Sequence, residues 1–378
     1  MKKVKLGDVC KIQSGGTPSR GNLNYWNNGN IPWVKISDIK EKYLSRTEEF
    51  ITQEGLANSS AKIFPKETIL YTIFATLGEV SILEIEATTN QAIAGLQIID
   101  ENICKDYLYY YLISLKPFVN EIGRGVAQNN INMQILRNFE IPLPSLEEQK
   151  AIARKLDKVS GLIEKRKTQL EKLSELVKSR FIEMFGSTIL NPFGWKKDNL
   201  GAVCDVRDGT HDSPQYYETG YPLVTSKNVT GEKIDLTDCS LICEADYKKI
   251  NERSKVDMGD IIMPMIGTVG KPVIVDIEPN FAIKNVSLIK FKVDSRVLNI
   301  YIRALLQSDY FNDAVLSKVR GGTQKFISLG DIRKLEVLVP PMELQEQFAA
   351  FVEQTDKSKL VIQKSLEKLE TLKKALMQ

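Results

Sequence analysis

The stretch from residue 146 to residue 184 repeats apolar side chains at alternating spacings of three and four residues. One apolar series is Leu156, Ile163, Leu170, Val177 and Met184, and the other is Ile152, Val159 and Leu173. Arg166 and Arg180 interrupt the second series, and Gly161 lies off the apolar face. This heptad pattern predicts one long helix whose apolar seam needs a second helix to cover it.

The C-terminal segment provides a candidate partner for this helix. Its apolar positions repeat the spacing at Phe348, Val352, Ile362, Leu366, Leu369 and Leu376, with Thr355, Lys359 and Lys373 as weaker members. We expect an antiparallel pair, because the second helix leaves the second half of the chain and can only pack back along the first. Packing contacts are expected at Leu156, Ile163, Leu170, Val177, Ile362, Leu366 and Leu369. The alternative is that each apolar stripe packs into an ordinary globular core.

The two halves of the chain repeat each other in sequence. Residues 5–10, 31–39, 76–78 and 90–93 match residues 199–204, 221–229, 268–270 and 284–287, in that order. Residues 124–137 match 320–333, and 141–144 with Glu148 and Gln149 match 337–340 with Glu346 and Gln347. Ordered matches at a nearly constant offset indicate a duplicated unit. The predicted segments are a domain (1–143), a helix (144–190), a second domain (191–341) and a second helix (342–378).

Each globular domain is predicted to mix strands and helices. The β-rich runs are 68–74, 79–84, 93–99 and 139–143, and the helical runs are 106–115 and 298–306. Because strands and helices do not alternate regularly, the pattern favours an α+β fold over a doubly wound sheet. The predicted architecture is two similar domains joined by two long antiparallel helices that form a coiled coil, with an internal pseudo-twofold repeat.

Charge and composition limit the classes of protein that the chain can belong to. Residues 1–143 carry 15 basic and 15 acidic side chains, and residues 191–341 carry 20 of each, so polyanion binding must come from local clusters. No apolar run reaches the length of a membrane span, and the first residues do not resemble a secretory signal. An odd number of cysteines, 5, does not suggest a disulfide framework. We expect a cytoplasmic protein.

Motifs that would indicate catalysis are weak. The segment 191–194 faintly resembles an adenine methyltransferase motif, but no glycine-rich cofactor loop accompanies it, and a linker turn is favoured. Glu148 precedes Lys150 as in some nucleases, but its place at a helix start favours capping. Cys204, Cys239, Cys243 and His211 lack the spacing of a zinc site, and small buried thiols are favoured. We therefore expect a chain without catalytic residues or a metal site.

Polar loops at matching places in both halves are the remaining candidates for a functional surface. Such loops suit a nucleic acid, because glycine lets backbone amides approach phosphates and polar side chains can bond base edges. The candidate DNA-binding residues are Ser14, Gly16, Thr17, Arg20, Trp26, Gln128, Asn129, Arg207, Thr210, His211, Gly322, Thr323, Gln324 and Lys325. The alternative is that these loops are ordinary turns.

Several of these motifs together resemble the DNA-specificity subunit of type I restriction-modification systems. They are Ser14, Gly15, Gly16, Thr17, Pro18 and Ser19; Tyr25 and Trp26; Ile31, Pro32, Trp33 and Val34; Asn90, Gln91, Ala92 and Ile93; and Ile141, Pro142, Leu143 and Pro144 with Glu148 and Gln149. The resemblance covers essentially the whole chain. It implies two target recognition domains, each reading one half of a split sequence on double-stranded DNA, held apart by two antiparallel helices.

The resemblance also implies that catalysis belongs to other subunits. Modification subunits would carry S-adenosylmethionine and methylate adenine, and restriction subunits would use ATP and Mg, so this chain is expected to bind no cofactor itself. The leading alternative from another class is a coiled-coil adaptor that presents two protein-binding domains. A third possibility is a self-sufficient DNA enzyme whose site has no recognised motif.

Overall fold

The computed structural model describes residues 2–124, 130–231, 233–267, 269–315 and 326–377. The chain forms two compact units. Unit 1 contains Met1–Arg166 and Ser365–Gln378, and unit 2 contains Lys167–Lys364. Because the border between the units divides both long helices, the domain borders expected near residues 143, 190 and 341 stay predictions.

Unit 1 is a mixture of short strands and helices. Its strands are β1 (Lys3–Lys5), β2 (Cys10–Ser14), β3 (Ile31–Val34), β4 (Tyr43–Leu44), β5 (Glu49–Ile51), β6 (Ile69–Thr72), β7 (Val80–Leu83), β8 (Thr88–Thr89), β9 (Ile93–Ile98) and β10 (Glu140–Pro142). Its helices before the long segment are α1 (Leu6–Val9), α2 (Gln53–Ala57), α3 (Lys105–Ser114), α4 (Lys116–Arg124) and α5 (Met133–Arg137), with 3-10 turns at Leu23–Tyr25 and Ile36–Asp38. The predicted β-rich and helical runs of this half are confirmed.

The described strands of unit 1 form a five-stranded sheet in the order β2-β9-β6-β7-β4, a three-stranded sheet in the order β5-β3-β8, and the pair β1-β10. Strands β6 and β7 are buried at every position. Because successive side chains of a strand point to opposite faces, both faces of this sheet are covered at its centre.

Two long helices follow the domains, α6 (Leu146–Phe185) and α12 (Met342–Leu376). The remaining elements of unit 2 are the strands β11 (Lys196–Asn199), β12 (Asp205–Asp208), β13 (Tyr221–Val224), β14 (Ser240–Ile242), β15 (Ile261–Pro264), β16 (Val273–Ile274), β17 (Ala282–Ile283), β18 (Val286–Lys290) and β19 (Glu336–Val339). Its shorter helices are α7 (Leu200–Val203), α8 (Glu244–Ser254), α9 (Asn299–Leu306), α10 (Asp309–Ala314) and α11 (Leu329–Arg333).

The described strands of unit 2 repeat the arrangement of unit 1. They form the sheets β12-β18-β15-β16 and β14-β13-β17 and the pair β11-β19. In both units a parallel pair lies inside the three-stranded sheet, β3 with β8 and β13 with β17, and the other pairs of that sheet are antiparallel. The predicted α+β mixture and the sequence repeat are therefore both visible in the fold.

A capping box begins helix α6. The backbone N–H of Ser145 donates to Glu148 Oε2 at 2.9 Å, and the backbone N–H of Glu148 donates back to Ser145 Oγ at 3.3 Å. At the other end Gly186 has φ +75° and donates its N–H to the Ile182 carbonyl at 2.8 Å, which ends the helix as a left-handed glycine does. The prediction that Glu148 serves as a cap is confirmed.

The segment after α6 is a turn. Asn191 and Gly194 have φ of 43° and 65°, and the Gly194 N–H donates to the Asn191 carbonyl at 3.0 Å. The Asn191 side chain closes the turn through bonds to the backbone N–H and carbonyl of Trp195. The interpretation of 191–194 as a linker turn is confirmed.

The predicted apolar seam lies on the buried or half-buried face of both long helices. In unit 1 it includes buried Leu156 and Ile163, and Ile152 and Leu376 pack on the same core cluster as Leu156. In unit 2 the rings of Phe181 and Phe185 near the end of α6 pack on Phe348 near the start of α12, with centroids 5.6 and 5.4 Å apart. Leu170, Val177, Ile362, Leu366 and Leu369 are each half-buried. Opposite ends of α6 and α12 therefore lie together in each unit, as in an antiparallel pair.

One detail of the sequence alignment is wrong. The repeat predicted from the sequence pairs Gln149 with Gln347, whereas the structural counterpart of Gln149 is Gln345. Both Gln149 and Gln345 are fully buried. The side-chain oxygen of each accepts a hydrogen bond at 2.8 Å from the backbone N–H of a helix N-cap residue, Cys104 of α3 or Leu298 of α9. The offset that matches residues 141–144 with 337–340 also places Gln345, and not Gln347, opposite Gln149.

Equivalent contacts also join the start and end of each domain. Arg137 donates to the Ile12 carbonyl, and Arg333 donates to the Val206 carbonyl. A side chain at Gly7 would come within 3.0 Å of the Arg137 Cβ, and one at Gly201 within 3.1 Å of the Arg333 Cβ. Glycine near the start of each domain therefore leaves room for the arginine side chain.

In the part of the chain that the structure describes, none of the helices combines the length and apolar character that crossing a membrane requires.

Candidate nucleic-acid interface

Each unit has a cleft at the same place in its fold. The cleft of unit 1, about 260 Å³, is lined by Ile73, Phe74, Gln91, Ala92, Asn130, Ile131 and Asn132. The cleft of unit 2, about 270 Å³, is lined by Asp208, His211, Met265, Ile266, Asn285, Phe326, Ile327, Ser328 and Leu329. Both clefts thus lie beyond the end of a buried central strand, β6 or β15.

Backbone hydrogen bonds position one wall of each cleft, formed by residues 130–132 in unit 1 and 326–329 in unit 2. The Ile131 N–H donates to the Ile73 carbonyl at 3.0 Å, and the Ile327 N–H donates to the Met265 carbonyl at 2.9 Å. Gln128 and Asn129 precede the unit 1 wall in sequence, and Gly322, Thr323, Gln324 and Lys325 precede the unit 2 wall. These six predicted DNA-binding residues lie outside the described residues.

The polar loop after β2 is held by the domain itself. Gly16 donates its N–H to the Thr89 carbonyl at 2.9 Å, and a side chain at Gly16 would lie 2.3 Å from Ser60 Oγ. Trp33 Nε1 donates to the Gly16 carbonyl at 3.0 Å. Glycine is therefore required at position 16 because Ser60 of the same domain lies so close to it. Ser14, at the start of this loop, is the last residue of β2 and is half-buried.

Arg20 and Trp26 form an ordered cluster beside that loop. The Arg20 guanidinium carbon lies 3.7 Å from the Trp26 ring centroid, and Arg20 Nη1 lies 2.5 Å from Glu49 Oε2. Trp26 packs edge-to-face on Trp33 and donates from Nε1 to the Ser19 carbonyl at 3.1 Å. The Arg20 hydrogen bond holds the pKa of the Glu49 carboxyl below its usual range. This pair keeps Arg20 at the surface, with about half of its side chain exposed.

All three guanidinium nitrogen atoms of Arg207 donate hydrogen bonds to groups of unit 2. Its Nε and Nη2 donate to Asp205 Oδ2 at 2.9 and 2.6 Å, and its Nη1 donates to the Arg253 carbonyl at 2.9 Å. The hydrogen bond to Asp205 raises the pKa of Arg207. A DNA contact by Arg207 stays a prediction, and it would compete with these bonds. Thr210 is half-buried and donates its backbone N–H to the Ile283 carbonyl at 3.0 Å.

His211 lies between two oxygen acceptors. Its Nδ1 is 2.9 Å from Asn285 Oδ1, and its Nε2 is 2.9 Å from Asp208 Oδ2. The hydrogen bond with Asn285 and then that with Asp208 raise the pKa of His211 above its usual range. Asp208, which is nearly buried, also pairs with Arg253. This arrangement favours the doubly protonated imidazolium, because only that form can donate from both nitrogen atoms.

Gln91 and Asn285 line the clefts, although the sequence did not indicate them as DNA-binding residues. Thr17 Oγ1 donates to Gln91 Oε1 in unit 1, and His211 faces Asn285 in unit 2. Both pairs join residues separated by 74 positions. Gln91 and Asn285 had already been matched in the repeat, so a carboxamide at one position in both copies was the available signal.

The five cysteines are free thiols, and Cys10 and Cys204 are buried. Burial raises the pKa of both Cys10 and Cys204 to about 12, so these thiols stay protonated. Among the described residues, no group of three or more His, Cys, Asp or Glu side chains is placed to hold a metal ion. The interpretation of Cys204 as a buried thiol is confirmed, whereas Cys239 and Cys243, included in the same interpretation, are half-buried.

A sequence profile for the "Type I restriction modification DNA specificity domain" matches residues 1–174 and 192–371. The chain belongs to this family of DNA specificity subunits. It is 31% identical to the type I restriction enzyme MjaIX specificity subunit of Methanocaldococcus jannaschii, with 100% of this chain and 91% of the relative covered. It is 22% identical to the type I restriction enzyme EcoKI specificity subunit of Escherichia coli K12, with 88% of this chain and 76% of the relative covered.

Solved structures agree on the fold of this specificity subunit. The S subunit of the type I restriction-modification system from M. genitalium superposes with a TM-score of 0.56 at 16% sequence identity, covering 100% of this chain and 94% of that one. The resemblance inferred from the sequence and the predicted α+β fold with repeated domains are confirmed. The relatives are named as specificity subunits of restriction enzymes, which supports a non-catalytic role and gives the adaptor alternative no support.

Proposed function

We propose that this specificity subunit reads a bipartite site on double-stranded DNA, with one half-site recognised by each unit. The observation that carries the proposal is the repeated cleft, which has one place in the fold but different polar residues in the two copies. Thr17 and Gln91 supply a hydroxyl and a carboxamide in unit 1, whereas His211 and Asp208 supply an imidazole and a carboxyl group in unit 2. Different chemistry on one scaffold suits two different half-sites.

The charge distribution is consistent with recognition by local contacts. Each domain is neutral overall, so binding depends on where individual donors and cations lie rather than on bulk charge. The proposed contact residues are Ser14, Gly16, Thr17, Arg20, Trp26, Gln128 and Asn129 for one half-site, and Arg207, Thr210, His211, Gly322, Thr323, Gln324 and Lys325 for the other.

In this proposal the chain positions other subunits on the DNA. Modification subunits carry S-adenosylmethionine and methylate adenine, and restriction subunits use ATP and Mg to translocate and cut DNA. The chain itself holds no cofactor and works in the cytoplasm, where these subunits meet the DNA. The apolar seam shared by α6 and α12 keeps the two helices together as a spacer.

Methylation mapping tests the proposal directly. The chain is co-expressed with the modification subunit of its own system, and methylated adenines are located by sequencing the host DNA. We expect methylation at one discontinuous sequence, and no methyl transfer by the purified chain alone. Methylation at a continuous sequence, or identical methylation when the chain is omitted, would contradict the proposal.

A further inference from the structure

Gln91 and Asn285 present the same chemical group to their clefts. In each case a neighbouring side chain occupies the amide oxygen, Thr17 in unit 1 and His211 in unit 2. Within the described ranges, neither amide nitrogen makes a hydrogen bond to the protein. Each cleft is therefore lined by a carboxamide that is held by its oxygen and has two N–H donors to offer.

The orientation of a carboxamide decides which base edge it can bond. An amide with both ends free can pair with adenine, because the adenine edge carries one acceptor and one donor. A hydrogen bond from Thr17 or His211 takes one of the two lone pairs of the oxygen and fixes its direction, so the two N–H donors are the part of the group left to meet a base edge with acceptors. In the major groove guanine presents two acceptors, N7 and O6, next to each other.

The backbone at Asn285 is in the left-handed region. Asn285 has φ 55°, a left-handed conformation that non-glycine residues rarely adopt. Asparagine adopts this conformation more readily than most residues, and here it fixes the direction in which the side chain leaves the backbone. Here it accompanies the bond that places the Asn285 amide beside His211.

We propose that Gln91 and Asn285 are specificity-determining residues, each donating from its side-chain amide to a guanine edge in its own half-site. Thr17 and His211 act as positioning residues, because they hold the amide oxygen and leave the nitrogen for the base. This inference rests on the proposed function and extends it to the chemistry of one base in each half.

The test uses the complete chain with its modification subunit and compares the methylated sequences of single variants. Gln91→Met keeps the length of the side chain but removes the amide. Asn285→Gly removes the amide at a position where glycine relieves the backbone strain. We expect each variant to lose discrimination at one guanine of one half-site by about tenfold or more, while the other half-site stays unchanged.

Matched controls separate base reading from general effects. Gln53→Met changes an exposed glutamine of α2, and Asn28→Gly changes an exposed asparagine with φ 59°. Both should keep the wild-type methylation sequence. For the positioning role, Thr17→Val should relax the same base as Gln91→Met, and Thr17→Ser, which restores the hydroxyl donor, should recover the wild-type base.

Other outcomes would overturn the inference. It fails if either cleft variant keeps the wild-type sequence, relaxes both half-sites, or weakens methylation equally at all sequences, which is the result expected of a phosphate contact. If Gln91→Met abolishes methylation altogether, the Thr17 variants decide, and equal behaviour of Thr17→Val and Thr17→Ser overturns the inference. A wild-type complex that methylates no discontinuous sequence is a failure of the proposed function instead.

Discussion

The side-chain oxygen of Gln149 accepts a hydrogen bond from the backbone N–H of Cys104 at 2.8 Å, which joins the first turns of α6 to the start of α3. The Gln149 amide nitrogen donates to the carbonyls of Asn102 and Pro144 at 2.8 and 3.0 Å. One fully buried side chain thus satisfies three backbone groups where the long helix meets the unit 1 domain.

Removing this amide should therefore destabilise the protein. In Gln149→Leu three backbone groups lose their partner, and we expect a loss of about 3 kcal/mol in the free energy of unfolding. Urea unfolding followed by circular dichroism measures the change. Gln363→Leu, at an exposed position of α12, is the control and should change stability by less than about 0.5 kcal/mol. Equal stability of the two variants would contradict this role for Gln149.

Lys42 links the unit 1 domain to α6 in a second way. Its Nζ lies 2.8 Å from Asp106 Oδ1 and 2.5 Å from Asp157 Oδ1, and 17% of its side chain is exposed. Burial lowers the pKa of Lys42, but the hydrogen bonds with Asp106 and Asp157 outweigh that effect and raise the pKa above its usual range.

We expect Lys42→Met to destabilise the protein by about 2 kcal/mol, because two carboxylates then lose their cation. Lys40→Met, at an exposed position close by, should have little effect. Adding Asp106→Asn and Asp157→Asn to Lys42→Met should recover part of the loss. The role is wrong if thermal unfolding shows that Lys42→Met and Lys40→Met have the same midpoint.

Tyr71 has a buried hydroxyl without a hydrogen-bond partner in the described part of the chain. Burial raises the pKa of this hydroxyl, so it remains protonated. Tyr71→Phe removes the unsatisfied group and should stabilise the protein by about 1 kcal/mol. Tyr107→Phe is the matched control, because the Tyr107 hydroxyl donates to the Pro142 carbonyl at 2.9 Å, and it should destabilise by a similar amount. A more stable Tyr107→Phe than Tyr71→Phe would reverse the expected order.

The stability contribution of His211 should depend on pH. Its pKa is raised in the folded state above the ordinary value of 6.5, mainly by Asn285 and then by Asp208. A raised pKa means that protonation favours folding, so the contribution is fully present below pH 6.5 and is lost as the pH rises through the raised value. The melting temperature of wild type minus that of His211→Gln should therefore fall as the pH rises from below 6.5 through the raised pKa. A constant difference would exclude this linkage.

Recognition should also be modular. Each described unit has its own core clusters and its own cleft, so replacing residues 1–143 with the matching domain of a relative should change one half-site only. Sequencing of methylated DNA from cells that carry the hybrid measures this. A hybrid with two altered half-sites would show that the units do not read DNA independently.

Local patterns in the sequence were sufficient for the long helices and for the repeat. The seam positions Leu156, Ile163, Phe348 and Val352 are buried as predicted, because heptad spacing places them on one side of a helix wherever that helix packs. The cap at Glu148 and the turn at Asn191 were also predictable, since both depend on residues within four positions of each other.

Contacts between distant parts of the chain were decided only by the tertiary structure. Sequence could not show that Asp205 and the Arg253 carbonyl accept the hydrogen bonds of Arg207. Thr17 and His211 were selected by their loops, but their partners Gln91 and Asn285 lie 74 residues away. Periodicity is a property of neighbouring residues, whereas the partner of a side chain depends on which strands pair, and that pairing places the carboxamides in the clefts.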